Sequence, residues 1–151
     1  MVFFKQHWRW FAATWIAFVF VQSLFFKFTG SSETQHIFGV LGEFFGMAWF
    51  AHYGGYIVGV LELIASILLF SRFWPWGAFL AFEIMSGAIV FHLFTPLGIK
   101  MPTYNDAGSI IGDDGGALFI MACITCFCAL ALLVKDVTAE ASQIRGVLPR
   151  R

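Results

Sequence analysis

Charge is what this sequence has least of. Across 151 residues there are nine Lys+Arg and nine Asp+Glu, 12% of the chain with a formal net of zero. Soluble domains carry about a quarter charged residues, so half of the supply needed for a wetted surface is missing. No basic excess or stripe exists, which excludes a nucleic-acid binder, and the apolar bias excludes a disordered chain. The three cysteines, Cys123, Cys126 and Cys128, crowd into one apolar stretch, so no disulfide within a chain can brace a loop. No haem, flavin or iron–sulfur signature is present, and the histidines follow no compact metal motif, so no metal site is expected.

What is abundant is apolar and aromatic. Hydrophobic residues make up 60% of the chain, with twenty Phe and six Trp, and the mean hydropathy is +0.81. That many large side chains cannot hide in one soluble core. Four apolar runs, 8–28, 47–70, 74–94 and 115–134, are each long enough for a bilayer core about 30 Å thick. They are continuous rather than alternating, which predicts helices, not strands. The expectation is a single all-α integral membrane domain over 1–151, a four-transmembrane-helix bundle with a tail over 135–151. The first run is too long for a signal peptide and has no small-x-small cleavage site before its polar turn at 29–32.

Basic residues set the expected orientation. Lys5, Arg9, Arg72, Lys135, Arg145, Arg150 and Arg151 fall on one side, and only Lys27 and Lys100 on the other. Glu33, Glu43, Asp106, Asp113 and Asp114 also fall on that second side. Both termini are therefore expected in the cytoplasm. The brief turn at 71–73 makes the second and third spans antiparallel neighbours. Within 33–45, Ile37, Phe38, Leu41, Phe44 and Phe45 recur at helical spacing, predicting a short interfacial helix in the first outer loop. In the second outer loop, 95–114, Asp113 and Asp114 can cap the fourth helix.

Glu62 is the most informative residue. His52, Gly55, Gly59, Glu62 and Ser66 fall within an arc of about 80° on one helix face. Gly55 and Gly59 would let a neighbouring helix approach closely, so the stripe should face protein. It holds a carboxylate inside the membrane, either a functional group or a protonated clasp between helices. Glu83 can share its depth on the adjacent span, and Ser86 and Gly87 suggest that it points inward. Facing each other, the two acids would share a proton, suiting proton handling or a hydrogen bond to a quinone-like carbonyl. Glu62 and Glu83 are thus the candidate catalytic residues.

Other polar residues are less specific. Lys27 closes the first span, either snorkelling to the interface or pairing with an outer carboxylate such as Glu33 or Asp114. His36, His52 and His92 belong to the outer end, where each reads as structural or as part of a polar pocket. Cys123-x-x-Cys126 has redox spacing, but deep burial favours small packing residues.

Several segments together resemble the DoxX family of small four-helix membrane proteins. They are Phe26-Lys27-Phe28-Thr29-Gly30 with Glu33 and Ile37-Phe38, and Gly59-Val60-Leu61-Glu62-Leu63-Ile64-Ala65. Met85-Ser86-Gly87-Ala88 with His92 and Leu97-Gly98-Ile99, and Asp114-Gly115-Gly116 with Leu118-Phe119-Ile120, complete the order. The resemblance implies a four-helix bundle in a bacterial inner membrane. It also implies a place in quinone-linked or redox-stress metabolism, since the family takes its name from a subunit of a thiosulfate:quinone oxidoreductase. Lys27, Glu33, Glu62, His92 and Asp114 match the pattern, whereas Glu83, His52 and the cysteine pair do not.

The expected function is an accessory or ligand-binding component, at most the membrane subunit of an oxidoreductase. A quinone or other lipophilic ligand would meet Lys27, His52, Glu62, His92 and Asp114, with Lys27, His92 and Asp114 as an outer polar gate. Electrons would come from a soluble or membrane redox partner. Two other readings stand beside it: a membrane assembly factor or scaffold, and a small-solute transporter, which would need a homodimer to enclose a path.

Overall fold

A computed structural model of the chain describes residues 2–105, 107–139 and 141–146, with side chains from His7 onward. Asp106, Arg150 and Arg151, which entered the charge count, lie outside the described residues. Among the described residues there are five helices and one small hairpin: α1 (Val2–Thr29), α2 (Ser32–Phe44), α3 (Ala48–Leu69), α4 (Trp74–Phe94), β1 (Pro102–Tyr104), β2 (Ile110–Asp113) and α5 (Ala117–Thr138). Four of the helices are long and apolar enough to cross a membrane, with α1 counted from His7. The chain is a multi-pass, all-α membrane bundle. Spans one to three fall within a few residues of expectation; the fourth begins at Ala117 and runs on to Thr138, past the expected end at 134.

Around the bundle the spans follow the order α1, α3, α4, α5, so α1 and α4 stand diagonally opposed. The core is built mainly from small side chains: Ala13 on α1, Ala65 on α3, Ala78 and Ala81 on α4, Ala122 and Ala129 on α5. Between them sit Ile16, Phe20, Leu69 and Leu132. In lipid no hydrophobic effect drives helices together, so close van der Waals approach and buried polar contacts do. α4 meets the α3 backbone closely at Gly77, where a Cβ would stand 2.7 Å from the Leu69 amide nitrogen and 2.9 Å from the Ala65 carbonyl oxygen. A polar clasp joins α1 to α5, Trp15 Nε1 donating to Thr125 Oγ1 at 3.2 Å.

α1 ends at Gly30, whose φ of +65° and the Ser31 N–H donating to the Phe26 carbonyl form a left-handed helix stop suited to glycine. Ser31 then caps α2, its hydroxyl accepting from the Thr34 N–H at 3.3 Å. The expected short helix is therefore present. It packs antiparallel on the first half of α3: Phe38 lies in a notch at Gly54 and Gly55, and Gly42 lies against Ala51.

At the end of the bundle where α1 begins and α5 ends, Arg9 lies over the rings of Trp10 and Trp74, and Lys135 over Trp8. Such aromatic–basic clusters are the usual furniture of a membrane interface. The tail beyond α5 is not a free extension. Buried Asp136 accepts from Ser142 Oγ and from the Gln143 and Ile144 N–H groups. Gln143 Nε2 also donates to the Arg72 carbonyl in the α3–α4 turn at 2.7 Å. At the opposite, loop end, β1 and β2 pair antiparallel around a turn in which Asn105 Oδ1 accepts from the Ala107 and Ser109 N–H groups.

Candidate functional site: a buried lysine–glutamate pair

α1 and α3 run antiparallel, with Leu24 and Phe28 seated on Gly59. Long helical side chains lean toward the N-terminus of their own helix. In an antiparallel pair this tilts Lys27 and Glu62 toward one another, so a lysine two residues from the end of α1 reaches a glutamate well inside α3. Glu62 is about 21 Å along α3 from Ala48 and about 10 Å from Leu69, within the apolar zone. Lys27 Nζ donates to Glu62 Oε2 at 2.9 Å and to Oε1 at 3.0 Å. It also donates to Ser23 Oγ at 3.0 Å, and the Ser23 hydroxyl bonds Glu62 Oε2 at 2.7 Å.

The cluster is electrically closed. Three ammonium protons meet three oxygens, one positive charge faces one negative charge, and both carboxylate oxygens are engaged. Side-chain exposure is 3% for Glu62 and 15% for Lys27, so within the charge pair the more open edge is on the lysine. Ser66 extends the polar stripe by donating to the Glu62 carbonyl at 2.8 Å. No family model, curated protein or solved structure matches the chain. Its chemistry therefore rests on the site alone.

Gly55, Gly59, Glu62 and Ser66 all lie on the buried face of α3, as their spacing predicts. His52, at the end of that stripe, is exposed and rests beside the Tyr53 ring. Lys27 neither snorkels nor pairs with Glu33 or Asp114, because Glu62 lies within its backward reach. Ser23 is a site residue that sequence reasoning misses. Its signal is its place one helical turn before Lys27, two polar groups on one face of an otherwise apolar span.

Glu83 does not join the cluster. On α4 the inward positions are Ala78, Ala81 and Met85, and Ser86 turns toward α5, 3.5 Å from Cys126 Sγ. Glu83 is exposed on the other side, so the two acids share no hydrogen bond. Nor do Lys27, His92 and Asp114 form one gate, since Lys27 is bound within α1–α3 while the other two meet where α4 and α5 face the loop end.

There His92 is buried, its Nδ1 donating to the Gly98 carbonyl at 2.5 Å and its ring edge-on to Phe119. Because that carbonyl can only accept, Nδ1 carries a proton. Asp114 is a loop organiser. Its Oδ1 accepts from the Met101 and Gly116 N–H groups and its Oδ2 from Leu118 N–H, each at 2.8–2.9 Å. Burial favours the neutral acid, but these three N–H donors and the charge of His92 outweigh it and hold the carboxyl below its ordinary range. Glu33 and His36 stand three apart at the start of α2, where His36 lies against the Tyr104 ring. Among the described residues no three His, Cys, Asp or Glu side chains converge on a metal-sized site. Two open grooves run along α1, lined by residues such as Trp10, Trp15, Phe18 and Phe70, and neither reaches Lys27 or Glu62.

Proposed function

We propose that the chain is an accessory membrane component of quinone-linked or redox-stress metabolism, and that its Lys27–Ser23–Glu62 cluster receives a lipophilic carbonyl ligand. The observation that carries this reading is a charge pair deep in the apolar zone whose lysine keeps the more open edge. Well-packed apolar residues hold helices together as well as a buried ion pair does, or better. Charged groups inside a membrane are costly and by default functional. In this reading Glu62 holds the ammonium in place, Lys27 turns one N–H from Ser23 toward the ligand carbonyl, and the Ser23 hydroxyl keeps its bond to Glu62. Electrons come from a redox partner protein. The basic bias supports cytoplasmic termini and suits a bacterial inner membrane.

The test is titration of a short-chain quinone analogue into the protein in lipid nanodiscs, read by quenching of its tryptophans. Lys27→Met/Glu62→Leu removes both charges together, so it should fold. We expect saturable binding to the unaltered chain and binding about ten-fold weaker or worse to the double variant, as for loss of a charge-assisted hydrogen bond. Equal binding, or none by the unaltered chain, overturns the reading.

A second reading, a non-enzymatic assembly factor or scaffold, is favoured by one specific observation: every ammonium proton already has a partner. A scaffold keeps its cellular function when the pair becomes apolar, whereas a ligand-binding component loses it.

A further inference from the structure

Three acidic side chains lie within the spanning helices of the described chain. Glu62 is bound by Lys27 and Ser23, and Asp136 by the returning tail. Glu83 has neither hydrogen bond nor ion pair and points away from the bundle. It lies about 14 Å along α4 from Trp74 and about 17 Å from Phe94, at the middle of the span. A carboxyl facing hydrocarbon there is costly, unless another protein covers it.

The face around it suits a helix. Phe79, Val90 and Phe94 project beside Glu83, at 42%, 48% and 74% exposure. Gly87 lies one turn further on, and a Cβ there would meet nothing within 4 Å. A glycine bordering open space on an outward face admits a second backbone at close range. The occupant must bring a hydrogen-bonding group to the same depth. A second copy related by a two-fold axis along the bilayer normal does so by symmetry. Carboxylic acids are self-complementary, each offering an O–H donor and a C=O acceptor. Among the described residues no cation competes for the place, since Lys27 is committed to Glu62 and the other basic side chains lie toward the ends of the spans or beyond them.

We propose that two copies of this chain associate through the outward face of α4, Glu83 bonded to the partner's Glu83 and the two Gly87 positions at closest approach. This assembly does not depend on a ligand at Lys27. The test uses the full chain with Cys123, Cys126 and Cys128 replaced by alanine, in its native membrane. Val90→Cys should form a disulfide-linked dimer on oxidation, while Phe18→Cys, exposed on the diagonally opposite α1, should not. In gentle detergent the unaltered protein should have twice the chain mass. Glu83→Leu should raise the dimer dissociation constant about ten-fold, and Glu83→Gln, which keeps a donor and an acceptor, should leave it nearly unchanged. The face points to lipid in the monomer, so neither substitution threatens the fold. A monomer at every concentration, a dimer indifferent to Glu83→Leu, or Val90→Cys cross-linked to a different polypeptide would overturn the proposal.

Discussion

Glu62 and Glu83 stand at nearly the same depth on adjacent antiparallel helices, one about eight residues before the α3–α4 turn and the other about nine after it. One is 2% exposed and engaged on both oxygens; the other faces outward with no partner. Depth in a membrane is thus a property of position along a span, while the chemistry available at that depth depends on which way the helix is turned. The inner acid is neutralised within one chain, and the outer one calls for something outside it.

Breaking the inner half of this contrast should give the largest effect. Lys27→Met alone leaves Glu62 buried without its counter-ion, and should cost about 3–5 kcal/mol of stability. Thermal unfolding in detergent will show it as a large fall in midpoint, and adding Glu62→Leu should recover most of the loss. A single variant as stable as the parent would mean that Lys27 and Glu62 do not form a buried pair.

The two faces of α4 allow a matched pair of substitutions. Gly77→Ala pushes a methyl group into the α3 backbone and should destabilise by about 1–3 kcal/mol. Gly87→Ala meets open space within one chain, and its better helix propensity should leave the fold of the monomer, at dilutions where no dimer forms, equal or slightly more stable. Equal losses in the same unfolding assay would mean that α4 does not turn Gly77 toward α3 and Gly87 away from the bundle.

A third acid, Asp114, is satisfied by backbone N–H groups rather than by a lysine, and removing it should have a smaller effect. Asp114→Ala loses a helix cap and should cost about 1 kcal/mol. Because the folded state holds this carboxyl below its ordinary range, its stabilisation is complete above that range and disappears as pH falls through the lowered value. The gap in unfolding midpoint between parent and Asp114→Ala should therefore be wider at pH 6 than near pH 3. The smallest change is expected from Glu83→Gln, whose effect on the fold of one chain should stay within about 0.5 kcal/mol.

The four spans and α2 are legible in the sequence, because membrane insertion demands long apolar runs and α2 keeps a helical period of large residues. The polar stripe Gly55, Gly59, Glu62 and Ser66 is legible too, since small and polar residues at spacings of three and four mark a protein-facing seam. The partner of Glu62 is not. Lys27 sits at a helix end, and its meeting with Glu62 depends on the two antiparallel helices leaning their side chains together. Glu83 misleads for another reason. α4 is apolar on all sides, so its periodicity holds no signal of inside and outside, and its inner face is told only by which residues fit against α3 and α5. The β1–β2 hairpin is too short to show as alternation.

The returning tail imposes an order on assembly. The α3–α4 turn is synthesised midway through the chain, yet the carbonyl of its Arg72 is held by Gln143, one of the last described residues. Asp136, which gathers that tail, must wait for α5 to be in place. Closure at this end is thus deferred until the final helix has entered the membrane. A nascent chain halted before Ser142 would carry all four described spans and still leave Asp136 and the Arg72 carbonyl without these partners.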